Sequence, residues 1–296
     1  MSVFPSQSID DPEFGVITAA DARIFGGLHL LRSSIPAVPM AVVDLGLHDD
    51  HLQWLRDHDC RILPAVGTVE RNVLWWQTWN KPFYLQSSPF RRTLWLDADT
   101  VVVGSMTPMV ARLQRRGFVV IHQLLHGLPH SMGGRFYQEF PVQLPFPGIQ
   151  AGVVGISKDS LEDQALLSVW LDTVELASKP EWRRCMPWAD NDALDWTMAS
   201  TRDVDFIVTD TQWNHYFHED KHWRSTNRQR LLGMIEERTT PGDIVLHLCH
   251  KPWLPIRKLK QLRKHEVHKT ARLTPLSVPV QEALGSQPAG NPTPGA

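Results

Sequence analysis

Arg92-Thr93-Leu94-Trp95-Leu96-Asp97-Ala98-Asp99-Thr100-Val101-Val102-Val103-Gly104 sets two carboxylates between two apolar runs. Leu94 to Leu96 and Val101 to Val103 predict buried strand on either side of the acids. An ionised carboxylate stripped of water without a counter-ion costs several kcal/mol or more, so something positive belongs there. Alternate residues of an extended chain point the same way, which lets Asp97 and Asp99 converge on one cation while Ala98 faces aside. A hard divalent ion takes oxygen ligands, typically one or two carboxylates together with substrate phosphate oxygens. The motif therefore points to a metal that holds a phosphate; its bland alternative is a strand end with solvated acids in a turn.

Upstream of this stretch, Phe14 to Ala20 reads as a short buried strand ending in small residues that let a ligand approach the backbone. Asp21 begins a helical pattern with apolar positions at Ile24, Leu28 and Leu31 and a small Gly26-Gly27 pair. Pro39 to Leu45 is a second buried strand, a short amphipathic helix runs through Leu52 and Leu55, and Cys60 to Val66 gives a third strand. Strand and helix alternating in this way predict a doubly wound α/β sheet. Residues 70 to 85 read as helical, with Trp75, Trp76 and Trp79 close together and Lys81 placed to reach the phosphate or else solvent.

Downstream, residues 117 to 121 predict a strand and His122 to Pro147 a long loop. Ile149 to Ser157 is a strand, Asp159 to about Ala177 an amphipathic helix, and residues 189 to 196 open another helix with acids at its start. Phe206 to Val208 and Asp243 to Leu248 are strands, the second carrying His247. Arg257 to Arg272 is basic, with seven Lys or Arg against Glu266 alone, a solvent-facing helix able to touch an anionic surface weakly. Beyond Thr274 the composition of Pro, Gly, Ser, Ala and Gln predicts a disordered tail.

With 296 residues, 42% of them apolar, the chain can bury a substantial core, and its net charge of −2 points to no nucleic-acid partner. Cys60, Cys185 and Cys249 are scattered and odd in number, which speaks against a disulfide scaffold and for a reducing compartment. There is no apolar run long enough to cross a membrane, and the first residues lack the basic start and apolar core of a secretory leader. A cytoplasmic location is expected. The 12 tryptophans suit core packing or the lining of a sugar or nucleotide site.

Roughly over residues 14 to 256, these segments resemble the GT-A glycosyltransferases of the glycogenin and lipopolysaccharide galactosyltransferase type, which use nucleotide sugars and a divalent metal. The family's L-T-x-N-D-x-Y, which closes over the nucleotide, is similar to Ile17-Thr18-Ala19-Ala20-Asp21-Ala22-Arg23; D-L-G-L stands at Asp44 to Leu47. The family lysine preceding the metal strand matches Lys81, and the D-x-D matches Asp97-Ala98-Asp99. The N-x-G strand that contacts the donor sugar is matched by Gln150-Ala151-Gly152, with a longer amide. The D-Q-D-x-L-N cluster beside the reacting face of the sugar is matched by Asp190-Asn191-Asp192-Ala193-Leu194-Asp195, with Asn191 for Gln. His247 with Lys251-Pro252-Trp253 resembles H-x-x-G-x-x-K-P-W, two residues shorter and without the Gly.

The resemblance implies one Rossmann-like sheet, mixed and mostly parallel, flanked by helices within residues 14–256, followed by the basic helix 257–273 and the tail 274–296. It implies Mn²⁺ or Mg²⁺ on Asp97, Asp99 and His247, with a UDP-sugar donor held by Ile17, Thr18, Ala19, Ala20, Arg23, Lys81, Ala98, Gln150, Ala151, Gly152 and Lys251. Asp190 and Asn191 take the catalytic role, with retention of anomeric configuration and a carbohydrate, lipid or protein acceptor. Two alternatives stand beside it. Asp97-Ala98-Asp99-Thr100-Val101 also fits the first motif of haloacid-dehalogenase-like phosphatases, in which Asp97 would be nucleophile and Asp99 acid/base. The altered residues Ala20 and Gln150 and the shortened His247 to Lys251 segment fit a non-catalytic relative that binds nucleotide sugars.

Overall fold

The computed structural model describes residues 9, 11–73, 76–115, 119–122, 124–125, 128–129, 149–177, 179–183, 189–200, 207–209, 215–216, 235 and 245–248. The chain begins β1 (Phe14–Ala20), α1 (Phe25–Ser34), β2 (Met40–Asp44), α2 (Asp49–Asp57), β3 (Cys60–Pro64). Two short helices, α3 (Trp76–Trp79) and α4 (Lys81–Gln86), lead to β4 (Arg92–Leu96), β5 (Thr100–Val102) and α5 (Thr107–Arg115). Then come β6 (Val119–His122), the small pair β7 (Leu124–Leu125) and β8 (Leu128–Pro129), and the long β9 (Ile149–Ser157). After it follow α6 (Leu161–Ala177), α7 (Pro180–Arg183), α8 (Asp190–Ser200), β10 (Ile207–Thr209), β11 (His215–Tyr216) and β12 (Val245–His247).

Seven strands form the main sheet in the order β10-β6-β9-β4-β1-β2-β3. Strands β3, β2, β1 and β4 run parallel, as do β10 and β6, while β9 is antiparallel to both of its neighbours. The sheet is thus mixed and mostly parallel, flanked by helices, as expected. Because β1, β2, β3 and β4 are parallel, their carboxyl ends share one edge, the edge at which open α/β sheets take ligands. A second, three-stranded sheet, β11-β12-β5, is built on that edge.

One face of the main sheet follows the period of two. Phe14, Val16 and Ala20 of β1, Met40 and Val42 of β2, and Leu94 and Leu96 of β4 pack with Leu28 and Leu31 of α1 and Met109 and Leu113 of α5. Each fully buried large apolar side chain contributes on the order of 1.5–3 kcal/mol. The polar alternates of α1 are spent on closure: Arg32 is buried and gives its guanidinium to the carbonyls of Ile35, Pro36, Val38 and His58.

Two departures from the sequence expectation bear on the candidate site. Helix α1 starts at Phe25, not Asp21, because the Asp21 carboxylate takes the Arg23 amide at 2.9 Å and closes a turn after β1. Residues 70–85 are not one helix. Pro82 lacks the N–H that would continue α3 and fits only the first turn of a new helix, α4. Between the two, Asn80 clamps the upstream chain, accepting from Val69 N at 3.0 Å and donating to Val69 O at 2.8 Å.

The described residues all belong to one compact unit, Met1–Lys251. No helix among them is long and apolar enough to cross a membrane. The basic segment 257–273, the tail 274–296, most of the loop from His122 to Pro147, and Trp75, Phe206 and Lys251-Pro252-Trp253 lie outside the described residues.

Candidate functional site

At the end of β4 the chain does not stay extended through its acids. The amide and hydroxyl of Thr100 both donate to the Asp97 carbonyl, at 3.0 and 2.7 Å, and fold Asp97-Ala98-Asp99 into a tight turn. The carboxylates therefore meet across a turn rather than along a pleat, a correction to the extended geometry expected from the sequence. Asp97 N donates to Gly152 O at 2.9 Å and Leu248 N to Asp99 O at 2.7 Å, so the turn is pinned from β9 and from β12. Helix α1 can seat against it because residue 27 is glycine: a Cβ there would lie 2.7 Å from the Ala98 carbonyl oxygen.

Strand β12 pairs antiparallel with β5, and the register sets His247 opposite Thr100. His247 Nε2 lies 3.2 Å from Asp99 Oδ1 and 3.9 Å from Asp97 Oδ2. One ligand atom from each of the three side chains falls within 4.8 Å of the others. Asp99 and His247 are buried and Asp97 is partly exposed. Burial pulls the imidazole pKa down, but the Asp99 and Asp97 carboxylates outweigh it and hold it above the usual histidine range. Two carboxylates and an imidazole gathered in one partly open cluster are a donor set that a divalent cation fits.

Beside this cluster sits Lys81, the first residue of α4, 1% exposed. Its ammonium donates to Asp97 Oδ1 at 3.0 Å, to Ala151 O at 2.7 Å and to Asp190 Oδ2. The solvated alternative for Lys81 is thereby overturned. Burial would lower its pKa, and the Asp190 and Asp97 carboxylates reverse the sign and raise it. Asp190, at the start of α8, has its carboxyl pushed upward by burial in spite of Lys81, with the Asp97 charge adding to the rise. Its neighbour Asn191 accepts from Ala151 N at 2.8 Å through Oδ1.

Gln150 and Gly152 close the β9 side. Gly152 N donates to Gln150 Oε1 at 2.5 Å, and a Cβ on Gly152 would stand 2.7 Å from the Gln150 amide and 2.9 Å from His247 Cε1. Ala98 and Ala151 are both buried. At the end of β1, Ile17, Thr18 and Ala20 are fully buried and Ala19 is partly exposed. The register sets Ala20 beside Asp44 on β2, and Ile17 beside Trp95 on β4, two residues before Asp97. Thr18 Oγ1 is buried without a hydrogen-bond partner. The Arg23 guanidinium is exposed and paired with Asp21.

Asp97, Asp99, His247, Lys81, Ala151, Asp190 and Asn191 are thus brought together, while Arg23 points its charge at its own turn and Lys251 lies outside the described residues. Sequence reasoning missed Trp95. Its indole Nε1 donates to Asp97 Oδ1 at 2.7 Å, and its ring lies 5.1 Å from the Lys81 ammonium. The signal was available in the two-residue spacing, which puts Trp95 and Asp97 on one side of the chain.

No known family model matches the sequence, and no curated protein does. Solved structures do. The apo form of mouse xyloside xylosyltransferase 1 is similar over 81% of this chain and 99% of its own, with a TM-score of 0.50 and 13% identity. The galactosyltransferase LgtC, in complex with donor and acceptor sugar analogs, is similar over 88% of this chain and 98% of its own, with a TM-score of 0.52 and 16% identity. This chain therefore has the GT-A glycosyltransferase fold.

Proposed function

We propose that this chain is a metal-dependent glycosyltransferase that moves a sugar from a UDP-sugar donor to a carbohydrate, lipid or protein acceptor, with retention of anomeric configuration. The observation that carries the reading is the Asp97, Asp99 and His247 cluster on the carboxyl edge of a GT-A sheet. Those three side chains would hold Mn²⁺ or Mg²⁺. When bound, such an ion supplies a Lewis acid to the leaving diphosphate. The small residues Ala19 and Ala20 close β1 at this edge, where the nucleotide would lie, with Arg23 at the rim. Gln150, Ala151 and Gly152 would face the donor sugar.

Asp190 and Asn191 stand in the first turn of α8, close to the Asp97 side of the cluster through their shared contacts with Lys81 and Ala151. A carboxylate held there would stabilise positive charge developing on a sugar ring. Asn191 is oriented by the bond from Ala151 N and retains its amide NH₂ as a donor. The phosphatase alternative has less in its favour: three strands of the sheet precede β4, and its scheme has no use for an imidazole delivered from β12.

A thermal-shift screen of nucleotide sugars with and without Mn²⁺, on wild type and Asp99→Ala, followed by a UDP-release assay, tests the proposal. Stabilisation by UDP-sugars that needs both Mn²⁺ and Asp99, together with UDP release, supports it. Failure to bind or hydrolyse any UDP-sugar in the presence of Mn²⁺ refutes it. Binding without turnover across broad donor and acceptor panels would instead make the chain the non-catalytic, donor-binding relative.

A further inference from the structure

We infer that Lys81 is a positioning residue, whose buried ammonium fixes the cation-site carboxylate Asp97 against Asp190 and does not itself contact the donor phosphate. An ammonium has three N–H donors. Here each has an acceptor on the protein: Asp97 Oδ1, Ala151 O and Asp190 Oδ2. The side chain is 1% exposed and the Trp95 ring stands 5.1 Å from Nζ, so no donor remains for a ligand. Trp95 also binds the same Asp97 oxygen, which leaves Oδ2 as the atom nearer His247. Lys81 thereby selects which oxygen of Asp97 is turned toward the cluster.

Its reach is long in sequence as well. The three acceptors lie 16, 70 and 109 residues away, on the β4 turn, on β9 and on α8. Ala151 passes the tie onward, since its carbonyl takes Lys81 and its amide gives to Asn191. One charge therefore registers the turn that carries the candidate metal ligands against the helix that carries the candidate catalytic pair. A tie of this kind acts on geometry, and a misplacement of about 1 Å at a reacting centre costs on the order of 100-fold in rate.

This rests on the glycosyltransferase reading, and the test separates the two. Native protein is first treated with an amine-labelling reagent and read by peptide mass spectrometry, with no ligand present. Lys81 is expected to label about 100-fold more slowly than exposed Lys179. Labelling at the rate of Lys179 overturns the inference whether or not the chain is a transferase. Next, Lys81→Met and Lys81→Arg are compared with wild type by UDP titration at saturating Mn²⁺ and by UDP release from UDP-glucose and UDP-galactose. The expected result for Lys81→Met is a kcat about 100-fold down, with UDP affinity within about threefold of wild type and the Arg variant between. A tenfold or greater loss of UDP affinity with kcat preserved makes Lys81 a phosphate ligand and overturns it; so does unchanged kcat. Should Lys81→Met fail to fold, the double variant Lys81→Met/Asp190→Asn removes the more deeply buried of the two stranded carboxylates, and its UDP affinity carries the same expectation. A wild type that binds neither UDP nor Mn²⁺ defeats the functional reading, and the labelling result then judges Lys81 alone.

Discussion

Gly152 measures how little room the cluster has. Any side chain there meets the Gln150 amide at 2.7 Å and His247 Cε1 at 2.9 Å, so Gly152→Ala must push the imidazole away from the carboxylates. Overpacking of this kind costs about 1–3 kcal/mol. Displacing a group that orients a metal ligand costs about 10–100-fold in affinity. Mn²⁺ titration and urea unfolding of Gly152→Ala should show both losses, and unchanged Mn²⁺ affinity would count against the crowding. At the other side of the sheet, burial pushes the Cys60 thiol up to about 11. Its alkylation in native protein near neutral pH should be slow until denaturant is added; rapid native labelling mapped to Cys60 by mass spectrometry would contradict that. Legibility at this scale followed chemistry. Asp97 and Asp99 stood out because acid between Leu96 and Val101 is costly. Lys81 was singled out by its place before β4 and by the resemblance, but its burial was not legible, because it is decided by partners up to 109 residues away.

At the scale of elements, Arg92 at the start of β4 anchors the edge of the sheet opposite the candidate site. It pairs with Asp11 at 2.5 Å, with Glu13 at 3.0 Å and with Asp159 at 2.9 Å, and Gln114 of α5 adds a bond to Asp11 at 3.1 Å. The Arg92 bonds hold the Asp11 carboxyl below the usual carboxylate range, against a smaller opposing effect of burial. A depressed carboxylate stabilises the fold fully above its unfolded pKa, about 3.9, and loses that contribution as pH falls through its folded value. Asp11→Asn should therefore lower stability by about 1–3 kcal/mol at pH 7. The gap from wild type should shrink as pH falls below about 4. Urea melts at pH 7 and pH 3 check this, and a gap that stays constant with pH would refute it. Elements with a strong period were legible: Ile149 to Ser157 is β9 to the residue. Those set by local polar chemistry were not. Asp21 looked like a helix start and is a turn, and the tryptophan-rich stretch before Lys81 hid the break that Pro82 enforces.

For the whole molecule, the order of strands does the assembly. Four parallel strands leave their carboxyl ends on one edge, and β12, arriving from the far end of the described chain, pairs with β5 and lowers His247 onto that edge. Alternating strand and helix patterns made the α/β class readable in the sequence. The pairing of β12 with β5 was not readable from pattern, because Val245–His247 is three residues long and its register depends on a partner more than a hundred residues earlier. Only the resemblance singled out His247. A fold shared at 13–16% identity carries no activity by itself, so the account rests on whether these three side chains form one cation site. The direct measurement is Mn²⁺ titration, by electron paramagnetic resonance, of wild type and of Asp97→Ala, Asp99→Ala and His247→Ala, with circular dichroism confirming that each is folded. A single saturable site is expected in wild type, weakened at least about 10-fold in every variant. Wild-type affinity in folded His247→Ala would contradict it.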